Sequence, residues 1–151
     1  MIRVARPTDQ PYIASTWTRS LCSTHRVPGV SARGHAYQRH VGSTMWNKVS
    51  GQVDAVMDRA DSRAIVWCKP HDRDVICGWA VYAEGPGVPL VHYVYCRKDE
   101  RGRGIGALLL RHIGVALDTA VVCTSLGPSS QAMRSKYKAA AHMPLEEFLR
   151  V

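Results

Sequence analysis

The sequence predicts a single mixed α/β domain spanning residues 1–151, and three observations carry that expectation. A chain of 151 residues with 46% hydrophobic content can bury one sizeable core but not two. Segments with strand alternation interleave with segments of helical spacing along the whole chain. No internal repeat, low-complexity tract or linker divides it.

Residues 2–6 alternate as a short strand, and Pro7-Thr8-Asp9 supplies a turn and cap for a helix to about residue 21. Residues 22–34 read as a loop. From 35 to 60 the apolar positions Tyr37, Val41, Met45, Val49, Val53, Val56 and Met57 recur at helical spacing, so a long amphipathic helix is expected, weakened at Gly42 and Gly51. The β-branched and aromatic segments 64–68 and 75–82 flank the polar stretch 69–74 and predict a hairpin. A turn at 84–87 leads to a strand over 90–96. A helix over roughly 105–117, a strand over 119–123 and a final helix from 129 or 130 to about 141 complete the expected order.

Lys and Arg number 20 against 12 Asp and Glu, a formal net charge of +8 that attracts polyanions such as nucleic acid, an acidic protein or a phosphorylated cofactor. Charged residues are only 21% of the chain, which excludes a disordered composition. Residues 1–7 lack the apolar stretch of a signal peptide, and no apolar run reaches membrane-spanning length, so no membrane association is expected. The cysteines Cys22, Cys68, Cys77, Cys96 and Cys123 are odd in number, scattered and never spaced as CxxC, which suits reduced thiols in the cytoplasm. The pairs Cys22/His25 and Cys68/His71 would supply four zinc ligands only if two distant segments met, and structural zinc sites prefer CxxC or spaced histidine pairs; no metal site is expected.

The chemistry concentrates in Arg101-Gly102-Arg103-Gly104-Ile105-Gly106, between a predicted strand and the apolar start of a helix. Glycines let successive backbone N–H groups turn toward an anion, the helix start adds its positive dipole end, and two arginines add full charges. A plain glycine-rich helix cap is the alternative. A nucleotide P-loop is disfavoured because no Gly-Lys-Ser/Thr follows, and the glycine spacing does not match a Rossmann fingerprint.

This hexapeptide resembles the Arg/Gln-x-x-Gly-x-Gly/Ala signature of the GNAT (GCN5-related N-acetyltransferase) superfamily, and the element order is similar to that fold over nearly the whole chain. The resemblance implies a central, mostly antiparallel sheet flanked by helices, and an acetyl-CoA-dependent N-acyltransferase that moves an acyl group to an acceptor amine by direct attack. It implies that Arg101, Gly102, Arg103, Gly104, Ile105 and Gly106 hold the CoA pyrophosphate, and that Val94, Tyr95 and Cys96 line the pantetheine arm mainly through main chain, as an added strand would. Cys96 as a nucleophile is the alternative to a small packed thiol.

Strand alternation places Leu90, His92, Val94 and Cys96 on one face. The resemblance makes His92 the base for the amine, with an imidazole near its ordinary pKa; a hydrogen-bonded structural histidine is the alternative. Leu90 stands where many relatives carry a Glu. Ser130, Met133 and Tyr137 match the spacing of the family's Asn-x-x-Ala-x-x-x-Tyr segment, implying that Ser130 contacts the cofactor and that Tyr137 protonates the CoA thiolate, against a packing role for Tyr137. Ser130 in place of Asn is a departure from the family.

The resemblance also implies that Trp17, Arg19, His25, Arg26, Arg33, His35, Tyr37 and Trp46 wall the acceptor site. Such an aromatic and basic lining suits an acidic peptide, an acidic metabolite or a nucleobase amine better than a polyamine. The tail leaves room for one closing strand, over 145–151. A nucleic-acid-binding or DNA-modifying GNAT-like protein and an inactive module binding only CoA or a partner protein are the alternatives, and the chain is expected as a monomer or homodimer.

Overall fold

Apolar side chains on both sides of the same strands dictate a layered architecture, because a strand buried on two faces needs cover on each. The computed structural model describes residues 1–24, 35–84, 87–118, 120–124, 137 and 140–150. The strands are β1 (Ile2–Val4), β2 (Ser62–Lys69), β3 (Asp72–Ala83), β4 (Leu90–Cys96), β5 (Val121–Cys123) and β6 (Ala140–His142). Among the described residues the α-helices are α1 (Gln10–Thr24), α2 (His35–Met57), α3 (Ile105–His112) and α4 (Leu145–Phe148). The six strands of the described residues form one sheet in sequence order. β1 to β4 pair antiparallel, and the β4–β5 and β5–β6 pairs are parallel.

Helices α1 and α2 cover one face. Ile13 and Trp17 from α1 and Val49, Val53 and Val56 from α2 close over Val66, Cys68, Trp79, Val81 and Tyr93 of the sheet. The Trp79 indole N–H donates to Thr16 Oγ1 at 3.0 Å, and that hydroxyl donates onward to Tyr12 O at 2.7 Å, so this buried indole brings no unmet polar atom into the core. Helix α3 covers the opposite face, with Ile105 and Leu109 on Ile65, Cys77 and Ala80. It lies very close to β3 at Gly78, where a Cβ would come within 2.9 Å of both Ile105 Cγ2 and Tyr95 O. Only glycine permits that approach.

The structure departs from the sequence expectations mainly in the second half. Helix α3 stops at His112 rather than near residue 117, because Gly114 adopts φ +82° and closes a Schellman motif: Val115 N–H donates to Leu110 O at 2.9 Å and Gly114 N–H to Arg111 O at 3.1 Å. The expected final helix from 129 or 130 lies outside the described residues except for Tyr137 and its end, which is corrected: Ala140–His142 is strand β6, held in register by β5. The expected closing strand over 145–151 is instead a short helix, α4, packed against the α1–α2 core through Leu145, Phe148 and Leu149. At the other end α1 runs on through Cys22 to Thr24, and the hairpin turn tightens until Lys69 pairs with Asp72.

Candidate active site

The strand β4 is fully paired on one side and half paired on the other. Against β3 its register runs from Leu90 to Cys96. Against β5 it covers only Leu90 with Val122 and Val91 with Cys123, capped by Thr124 N–H donating to Val91 O at 3.2 Å. The ladder ends there, and among the described residues no strand pairs with that side of Tyr93, Val94, Tyr95 and Cys96, which leaves a fork at the end of the ladder. An open strand edge inside a sheet is a ready template for an extended ligand.

The loop after β4 leads the chain to the mouth of this fork. Gly102 and Gly104 take φ of +80° and +76°, and the space where a side chain would stand is open at both. Gly104 is the N-cap of α3, and no side chain caps the helix there, so the first amides of α3 keep their donors for another partner. Gly106 sits over β4, with its Cβ position 3.7 Å from Val94 Cγ1, which brings the helix start beside the open edge. Arg101 Nε donates to Cys96 O at 3.2 Å and ties the loop to the end of the strand. Arg103 is paired with Glu100 at 2.8 Å, and Lys69 Nζ lies 4.0 Å from the same carboxylate. Glu100, 7% exposed, is a strut beneath the loop.

His92 does not share a face with Val94 and Cys96, and this corrects the expectation from alternation. A β-bulge shifts the β3–β4 register so that Val81 pairs with Tyr93 and Tyr82 with Val91, leaving His92 as the extra residue. Val94 and Cys96 remain on the α3 side. His92 turns into the α1–α2 side, 1% exposed, edge-on to Phe148 at 4.6 Å and 6.4 Å from the Trp17 ring. Its Nδ1 lies 3.1 Å from Thr124 Oγ1, and its Nε2 is buried without a partner. The expectation of an ordinary pKa is also corrected: burial pushes the imidazole down to about 4, Arg59 pushes the same way and Asp61 opposes it. At neutral pH His92 is an uncharged imidazole, the form a base requires.

Tyr137 is 6% exposed among Val91, Leu110, Val115, Val121 and Cys123, on the α3 side of the sheet. His92 and Tyr137 therefore flank the end of the β4–β5 ladder from opposite faces. Ser130 lies outside the described residues, as do His25, Arg26 and Arg33. Trp17, expected in the acceptor wall, is 0% exposed within the core, whereas Arg19 and Trp46 are exposed. Burial raises the Cys96 thiol above its usual value, which favours a packed thiol over a nucleophile. Cys68 is buried in the core while His71 is exposed at the hairpin turn, and no cluster of potential metal ligands occurs among the described residues. No helix among them is long and apolar enough to cross a membrane.

Three residues that shape the site carry weak sequence signals. Glu100 is three residues before Arg103, a visible ion-pair spacing. Phe148 is the single phenylalanine of the chain. Thr124 sits 32 positions from His92, and nothing local points to it.

No family model matches the sequence, and no curated protein matches it. Solved structures do. A Pyrococcus furiosus protein described as an acetyl transferase superposes with a TM-score of 0.63 at 14% identity, covering 89% of each chain. A Clostridium acetobutylicum protein assigned as an acetyltransferase, solved with acetyl-CoA, gives 0.52 at 12% identity over 91% of this chain and 87% of its own. A variant of the BH1408 protein of Bacillus halodurans gives 0.51 at 17% identity over 91% and 89%. With a six-stranded sheet between helical layers among the described residues and a glycine loop leading into α3, the chain shares the fold of these acetyltransferase structures.

Proposed function

We propose that the protein is an acetyl-CoA-dependent N-acyltransferase that passes the acyl group directly from CoA to an acceptor amine. The observation that carries this reading is the β4–β5 fork with an uncapped, glycine-entered helix start at its mouth. The open edge at Val94, Tyr95 and Cys96 suits the pantetheine arm, whose amides pair as a strand would. The amides of Gly104, Ile105 and Gly106, with Arg101 and Arg103 beside Gly102, suit the pyrophosphate, and Ser130 contributes from the segment before Tyr137. A neighbour of the same fold carries acetyl-CoA.

In this reading the amine nitrogen attacks the thioester carbonyl carbon and the C–N bond forms. A backbone N–H at Val94 takes the developing oxyanion charge. As the C–S bond breaks, Tyr137 gives its hydroxyl proton to the departing thiolate, while His92 accepts the proton the amine loses. Acid and base approach from opposite faces of the sheet, which suits one-step transfer between a donor in the fork and an acceptor on the α1–α2 side. Because Phe148 covers His92, α4 shifts as the acceptor enters.

Calorimetry with acetyl-CoA, CoA and longer acyl-CoAs tests the donor site. Mass-spectrometric detection of acetylated product tests transfer, using a peptide starting Asp-Glu, free glutamate and an adenine-containing oligonucleotide, with spermidine as the cationic comparison. We expect acetyl-CoA to bind and an acidic or nucleobase acceptor to exceed spermidine. Absence of binding by every acyl-CoA overturns the reading.

A further inference from the structure

Strand β5 is followed by a threonine, Thr124, that the chemistry above does not use. We propose that Thr124 is a positioning residue that holds His92 with its proton on Nδ1, leaving Nε2 as the lone pair that meets the acceptor amine. The inference rests on the reading of His92 as the base.

Two contacts of one hydroxyl carry it. Thr124 Oγ1 lies 3.5 Å from His92 O and 3.1 Å from His92 Nδ1. A carbonyl oxygen only accepts, so when the single hydroxyl hydrogen points to His92 O the shorter contact, at Nδ1, is the one the ring donates. The threonine is 3% exposed, and its backbone N–H is held by Val91 O at the last rung of the β4–β5 ladder, which fixes the hydroxyl oxygen beside the ring. The opposite ring is equally restrictive. Trp17 Nε1, a donor only, is buried without a partner in the neighbouring ring, so a proton on His92 Nε2 would leave two unmet donors in one apolar layer. The other groups facing the imidazole are the Phe148 ring from α4 and, beyond it, Arg59 and Asp61, which pair with each other at 3.0 Å.

The bulge explains why such a device is needed. An extra residue in a strand lacks the ladder partner that fixes its neighbours, so the orientation of its side chain has to be set from elsewhere. Here that support comes from the adjacent strand across the fork.

Long-range 15N–1H correlation spectra of the imidazoles, recorded on the full chain at neutral pH, report the tautomer without any substrate. We expect an Nδ1–H signature for His92. Thr124→Val removes the hydroxyl at similar shape and should shift His92 toward Nε2–H, and it should lower turnover with the fastest amine of the panel about tenfold or more at unchanged acetyl-CoA affinity. Thr124→Ser keeps the hydroxyl and should restore both readouts, which separates the effect from a packing defect. An Nε2–H tautomer in the wild type, or a Thr124→Val variant with unchanged tautomer and turnover, overturns the proposal. Full turnover in His92→Ala with acetyl-CoA still bound removes the base assignment and the positioning role with it, but not the donor site.

Discussion

His92 is neutral in the folded protein down to about pH 4, whereas in the unfolded chain it takes up a proton near pH 6.5. Between those values the unfolded state binds more protons, so stability is complete above about 6.5 and declines as pH falls toward 4. A displacement of that size corresponds to roughly 3 kcal/mol at its limit. Urea midpoints measured from pH 7.5 to 4 should therefore fall, and His92→Gln should flatten the slope; parallel curves for both proteins would contradict the burial of an uncharged imidazole. Gly104 gives a second residue-scale expectation. Its surroundings are open, so a side chain there meets no neighbour, but φ of +76° disfavours any L-residue by about 1–2 kcal/mol. Gly104→Asp should abolish acetyl-CoA binding by adding both strain and charge at the cradle, while Gly106→Ala, at ordinary contact distance from Val94, should bind normally in calorimetry. The loop was legible in the sequence because glycine and arginine announce their chemistry locally. The face of His92 was not, because a bulge is set by the partner strand and leaves no mark in the pattern of β4.

At the scale of elements, the C-terminal helix matters beyond its length. Phe148 stands between His92 and the Arg59 guanidinium, which lies 4.5 Å from the ring centroid, while Glu146 reaches Lys48 at 3.3 Å and Gln52 at 3.3 Å on α2. The helix is thus a cover over the imidazole, latched by exposed pairs that individually contribute little. Phe148→Ala should let water reach His92 and raise its pKa from about 4 toward 6.5, seen directly in a proton NMR titration of the ring. A pKa still near 4 would mean that the rest of the core keeps the imidazole dry without this ring. Strand β4 and the β2–β3 hairpin were legible to within a few residues, since their apolar runs are bounded by polar turns. The end of α3 was not, because Leu117 prolongs an apolar pattern that Gly114 has already stopped. Nor was β6: two alanines and a histidine become a strand only because β5 offers a parallel partner.

For the whole molecule, the layered arrangement was predictable from interleaved periodicities, while the depth of the fork depended on where two parallel strands cease to pair, a tertiary fact. The strand order, running from β1 to β6 without exchange, sets a folding sequence as well as a shape. β2, β3 and β4 are joined by short turns, but β1 must bring Ile2 to Trp67 across both N-terminal helices, and closing that span costs chain entropy before any contact returns it. The hairpin should therefore be structured in the folding transition state and β1 added late. In stopped-flow experiments Ile65→Val on β2 should mainly slow folding, whereas Ile2→Ala on β1 should mainly speed unfolding. The reverse partition would place the nucleus elsewhere. If the order holds, β4 is already in place when β5 arrives, and the fork is the seam where a parallel pair is laid against a finished antiparallel core.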